Sequence, residues 1–241
     1  MGKATKRLML YLIFLLVISF LAISAYTFYK KEYLNNALIK DNLKLFDTKY
    51  IYNFYIKFTP DINNRNYYGN PNASVTMTAF LDIDSQSSKY FMNNIFPKLE
   101  EEFIKTGKIK FYSKNYLTIQ DFTQKNNKFL YAAYLMCVKS IKKEKYYSFY
   151  FDMFKLNGIE QISGLIGKYN LSKEMIDKCL QEKSFNEMNI DILEVENFGV
   201  AGISPRFYIG IDGIDNVILD GVPKYPEFNR TIRQQEFSIG N

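Results

Sequence analysis

The sequence predicts an α/β domain whose sheet is interrupted by a long helical insertion, preceded by an N-terminal transmembrane helix. Three observations carry this. Leu8 to Tyr26, "LMLYLIFLLVISFLAISAY", is a continuous apolar run. "SVTMTAFLD" (Ser74–Asp82) and "KIKFYSKN" (Lys108–Asn115) are strand-like segments flanking a helical one. A helical block from Thr123 to Phe198 is then followed by two further strand-like segments and a closing amphipathic helix.

At a rise of about 1.5 Å per residue, the apolar run reaches roughly 28 Å, close to the hydrocarbon thickness of a bilayer. It exceeds the h-region of about 7–15 residues that a cleaved signal carries, so an uncleaved anchor is favoured over a signal peptide. Lys3, Lys6 and Arg7 precede it, and Lys30, Lys31 and Glu32 follow it. This bias favours a cytoplasmic N-terminus, with one pass through the membrane and the main domain outside the cytoplasm. Residues 1–30 are thus expected to be the anchor or signal segment, 31–68 a stalk or linker, and 69–241 the main domain, with its insertion at about 120–198.

Within the linker, "YIYNFYIKF" (Tyr50–Phe58) alternates as a strand would, and "PDINNRNYYGNP" (Pro60–Pro71) has the Asn, Gly and Pro content of a loop. Ser74–Asp82 is rich in β-branched and apolar residues, the pattern of a buried strand. In 89–106, Phe91, Met92, Ile95, Phe96, Leu99, Phe103 and Ile104 recur at helical spacing; Gly107 is a natural C-cap and Pro97 should kink the helix. A second strand completes a βαβ unit, which requires a parallel pair.

"NKFLYAAYLMCVKSI", "YYSFYFDMFKLNG" and "SKEMIDKCLQEKSFNEMNIDILEVENFG" each space apolar residues by three and four, with Ser172 placed to cap the last of them. "RFYIGI" (Arg206–Ile211), a turn at Asp212–Gly213 and "NVILDG" (Asn216–Gly221) form a hairpin before the final helix, "PEFNRTIRQQEF". No internal repeat is present.

The 241 residues are 47% apolar and 23% charged, enough for one core plus a small appendage. The net charge of +6 does not indicate a nucleic-acid partner. Five of the 31 Lys and Arg residues lie in residues 1–31 with no acid, leaving 26 bases and 25 acids in the remainder. No basic patch interleaved with aromatics stands out. The chain has no histidine, which removes Ser–His and Cys–His catalysis and His-based zinc sites. Its two cysteines, Cys137 and Cys179, are too far apart in sequence for a CxxC motif or a metal knuckle. Neither a metal nor a cofactor is expected.

"GNPNASVTMTAFLDIDSQSSKYFMNNIFPKLEEEFIKTGKIKFY" resembles the first βαβ unit of the DsbA-like thiol–disulfide oxidoreductases, a branch of the thioredoxin fold. "AAYLMCV", "IDKCL" and "GVAGISPRFYIG" extend the resemblance over roughly 69–237. It implies a thioredoxin-like sheet with the helical insertion. Matching Phe80, Asp82 and Phe91 to the family pattern puts Ser85 and Ser88 where the family has its two cysteines, with Gln86 and Ser87 between them. Pro205 takes the place of the family's cis-proline, with Ser204 before it, although Gly202–Ile203–Ser204–Pro205 is one residue longer than the family's Gly-Thr-Pro. By resemblance, Gln86, Ser87, Ser204 and Pro205 would border an extended polypeptide.

Thiol–disulfide exchange requires a thiolate, and a serine hydroxyl does not ionise near neutral pH, so no exchange is expected at Ser85 or Ser88. A Ser–Lys hydrolase would need Lys89 as its base, and adjacency on a helix points that side chain away from Ser88. The plainer reading is that Asp84 or Ser85 caps the helix. Cys137 and Cys179 are either small apolar residues on inner helix faces or a structural disulfide; export and the family resemblance favour the disulfide. Asn72, Asn170 and Asn229 head glycosylation sequons that chance explains in so Asn-rich a chain.

The expected function is that of a membrane-anchored, extracytoplasmic, redox-inactive protein that binds extended polypeptide or a protein partner. One alternative is an oxidoreductase-family enzyme using Cys137 and Cys179 or a partner's thiols. The other is a purely structural envelope protein.

Overall fold

The computed structural model describes residues 58–182, 185–197, 200, 202–211 and 214–239. The expected anchor at 8–26, the stalk or linker up to residue 57, the strand at 50–58 apart from Phe58, and the turn at 212–213 lie outside them. Among the described residues, no helix is long and apolar enough to cross a membrane. By their contacts, residues 57–241 form one compact unit.

The central strand is β2 (Val75–Leu81), with all seven residues buried. Its parallel neighbour is β3 (Ile109–Asn115), in register from Val75–Ile109 to Leu81–Asn115. On the other side β4 (Arg206–Ile211) runs antiparallel, pairing Phe80 with Arg206 and Val75 with Ile211, and β5 (Ile214–Asp220) forms the far edge. A two-residue strand, β1 (Tyr68–Gly69), lies inside the segment expected to be a loop and pairs antiparallel with β3. The sheet order is β1-β3-β2-β4-β5. Burial on both faces explains why β2 reads as a continuous apolar run rather than an alternating one.

Helix α1 spans residues 86–104 and links β2 to β3. It is α-helical over Gln86–Tyr90, widens to π geometry over Phe91–Ile95, returns to α over Phe96–Leu99 and is π again over Glu100–Ile104. Pro97 explains the first widening: it has no N–H to donate, and its ring crowds the preceding turn. The Phe96 N–H instead reaches the Phe91 carbonyl. Gly107 ends the helix at φ +78°, in the left-handed region.

The insertion comprises α2 (Ile119–Gln124), α3 (Asn127–Ile141), α4 (Tyr146–Met153), α5 (Ile162–Lys168), α6 (Lys173–Glu182) and α7 (Asn186–Asn197). Thr118 caps α2 through a capping box with Asp121, Asn126 caps α3, and the Ser172 hydroxyl accepts the Met175 N–H at the start of α6. Helix α8 (Tyr225–Ile239) closes the chain against β4. The larger core includes Val75, Met77, Ala79 and Leu81 of β2 together with inward residues of α1, α8 and the insertion. A smaller one gathers Phe80, Tyr116, Val195, Val200 and Tyr208. Phe80 and its even-spaced neighbours thus serve one face of the sheet and Ala79 the other.

Candidate functional site

The β2–α1 junction is set by local hydrogen bonds. The Asp84 N–H donates to Asp82 Oδ1 at 2.9 Å, and the Ser85 N–H to the Asp82 carbonyl at 3.1 Å. This turn leaves Ser85 extended at the N-cap, where its hydroxyl accepts the Ser88 N–H at 3.4 Å. Between the two candidate positions, Ser85 is therefore the cap, and Asp84 is exposed. Gln86 and Ser87 are exposed on the first turn, while Ser88 is fully buried.

The Ser88 hydroxyl accepts the Asp82 N–H at 3.2 Å and lies 3.4 Å from the Ser204 hydroxyl. The structure thus brings Ser88 to the loop before β4, across the end of the central strand pair. The Ser204–Pro205 peptide bond is cis, with Ser204 half-buried and Pro205 buried. The Pro205 carbonyl accepts the Gly221 N–H at 2.9 Å. The extra residue of Gly202–Ile203–Ser204–Pro205 is absorbed in a turn, where the Ile203 N–H reaches the Val200 carbonyl at 3.1 Å. Lys89 donates to the Leu156 carbonyl at 2.9 Å, so it is committed away from the serines.

Sequence reasoning did not single out an acid and a base here. Lys128, on α3, pairs with Asp82 at 2.9 Å, and its ammonium lies 5.7 Å from the centre of the Tyr116 ring. Burial pushes the Asp82 carboxyl above the usual carboxylate range, against the hydrogen bond and charge of Lys128 and the Asp84 N–H. Lys128 itself is raised: burial works to lower it, but the Asp82 hydrogen bond and charge prevail. No local sequence signal marks this pair, because only the assembled sheet brings α3 to the end of β2.

A second charged group ties the insertion to the sheet. Arg65 pairs with Asp191 at 2.5 Å and with Glu187 at 3.6 Å; Lys114 pairs with Glu194 and lies 3.7 Å from Asp191. Asp191 also accepts the N–H and side-chain amide of Asn115, each at 2.9 Å. Every charge here has an opposite partner, the condition under which buried ions are tolerated.

Cys137 of α3 and Cys179 of α6 are joined by a disulfide, and no free cysteine remains. The bond fastens two insertion helices. Neither sulfur is therefore available as a thiol while it persists. Among the described residues, no group of His, Cys, Asp or Glu side chains could hold a metal ion.

A family model described as thioredoxin matches residues 62–222. The chain belongs to the thioredoxin family. Its fold is that of several solved DsbA-type proteins: BdbD from Bacillus subtilis (TM-score 0.63, 20% identity, covering 73% of this chain and 95% of that one), Chlamydia trachomatis DsbA (0.61, 17%, 75% and 96%), and Wolbachia pipientis alpha-DsbA1 (0.59, 20%, 73% and 92%). At these identities the likeness shows the fold alone. Comparison with curated proteins gives no match. The thioredoxin-family sheet here spans β1 to β5, and the helices α2 to α7 are its insertion.

Proposed function

We propose that this thioredoxin-family chain is a membrane-anchored, extracytoplasmic protein that holds extended polypeptide beside Ser88 and Ser204 without thiol–disulfide exchange. The observation that carries the reading is the 3.4 Å approach of the Ser88 and Ser204 hydroxyls, with buried Pro205 next to Ser204 and no free thiol. The scaffold of an oxidoreductase-type site is retained, while the two positions that would react carry hydroxyl groups. Gln86, Ser87 and Ser204 supply polar groups to an approaching backbone, with Pro205 buried behind Ser204. The membrane anchor rests on the apolar run at 8–26 and its flanking charges.

The test uses the full-length chain in mild detergent, with a photo-crosslinking residue at Gln86 or, as control, at exposed Glu174 on α6. The probe is reduced, carboxymethylated α-lactalbumin, which stays unfolded. Crosslinking from position 86, saturable and absent from 174, is the expected result. Equal crosslinking from both positions, or none, would remove the reading.

A further inference from the structure

Tyr116 follows β3 directly, and its N–H donates to the Leu81 carbonyl at 3.0 Å. It is thereby fixed to the end of the central parallel pair. Its ring is 7% exposed and packs with Phe80, Val195, Val200 and Tyr208. Its hydroxyl accepts the Gly202 N–H at 2.6 Å. Gly202 has φ +82°, and a Cβ placed on it would meet nothing within 4 Å. Gly202 itself is therefore held by the hydrogen bond to Tyr116, beside buried Val200 and the Ile203 N–H on the Val200 carbonyl at 3.1 Å. At its other end the loop is fastened by the Gly221 N–H on the Pro205 carbonyl.

The same tyrosine lies beneath Lys128, which pairs with Asp82, whose N–H donates to Ser88. The β2–α1 junction, the first turn of α3 and the loop before β4 thus meet around one side chain. We infer that Tyr116 is a positioning residue for the loop at 202–205, holding Ser204 opposite Ser88 through the Gly202 N–H. The inference rests on the polypeptide-binding reading above, because the loop it places is one wall of that site.

Tyr116→Phe removes the hydroxyl and keeps the ring, its packing and its contact with Lys128. Tyr116→Leu removes all of these. Loss of one neutral hydrogen bond predicts about 3- to 10-fold weaker binding of reduced, carboxymethylated α-lactalbumin by the full-length Tyr116→Phe chain. The Gly202 amide should exchange with deuterium faster by a similar factor, while the melting temperature changes little. Tyr116→Leu should lower the melting temperature as well, separating packing from positioning. Unchanged binding and unchanged Gly202 exchange in Tyr116→Phe would overturn the inference. If the unsubstituted chain binds no polypeptide, the functional reading fails, and Gly202 exchange then decides this inference alone: acceleration supports the tether, and no change overturns it.

Discussion

The Ser88 hydroxyl stands 3.4 Å from the Ser204 hydroxyl, joining positions 116 residues apart in sequence. Ser88 is fully buried and also accepts the Asp82 N–H. Ser88→Ala should therefore strand a buried donor and cost about 1–3 kcal/mol of unfolding free energy. Ser85→Ala removes the N-cap and should cost about 1 kcal/mol. Urea unfolding of the two variants gives the comparison. A larger loss for Ser85→Ala than for Ser88→Ala would contradict the assignment of Ser88 as the buried junction.

The disulfide between Cys137 and Cys179 closes a loop of 42 residues in sequence separation. On the loop-entropy view it contributes up to about 4 kcal/mol, so the double Cys→Ser variant should unfold at lower urea by a corresponding amount. Mass measurement of the denatured, unreduced chain after alkylation should show no label. Two labels per chain would contradict the bond.

Arg65 and Asp191 are both buried and pair at 2.5 Å. Arg65→Met leaves Asp191 with Lys114 at 3.7 Å and the two Asn115 hydrogen bonds. Breaking one side of such a pair should cost about 3 kcal/mol or more. Asp191→Asn leaves two buried cations with fewer partners and should cost at least as much. A loss below about 1 kcal/mol, the range of an exposed pair, would show that the network is solvated.

The acid limb of stability should have two opposing contributions. Asp152 is held down to about 2: burial works to raise it, but hydrogen bonds from Lys155, Lys168 and Tyr169 outweigh that. A depressed carboxyl stabilises above its unfolded value and loses that contribution as pH falls through about 2. Asp82 is raised by burial against Lys128, so its contribution is present below the unfolded value and is lost as pH rises through the folded one. Asp152→Asn should flatten the stability profile between about pH 4 and pH 2, whereas Asp82→Asn should relieve part of the loss above about pH 4. Unfolding curves across that range check both signs; an unchanged acid limb in Asp152→Asn would contradict the first.

The βαβ unit, the β4–β5 hairpin and the closing helix were legible because each is specified by local periodicity and by punctuating Gly, Pro and Ser residues. Ser85 was readable as a cap for the same reason. The division of the block from 123 to 198 into separate helices was only partly so, although Thr118 with Asp121, and Asn126, were signals that could have marked two starts. Strand β1 was hidden in an Asn-rich loop because two residues carry no period. The pairs Lys128–Asp82 and Arg65–Asp191 were not legible, since each joins segments whose proximity only the assembled sheet creates. Lys114 offered a hint: a charged residue inside an otherwise apolar strand has to find a partner.

The most direct measurement of the central claim pairs two readings on the full-length chain in detergent: binding of reduced, carboxymethylated α-lactalbumin and reduction of insulin disulfides in the presence of excess dithiol. The account predicts saturable binding that weakens when Ser204 is replaced by a bulky charged residue, as in Ser204→Arg, with insulin turnover at the level of dithiol alone. Turnover clearly above that level, or an absence of binding, would contradict it.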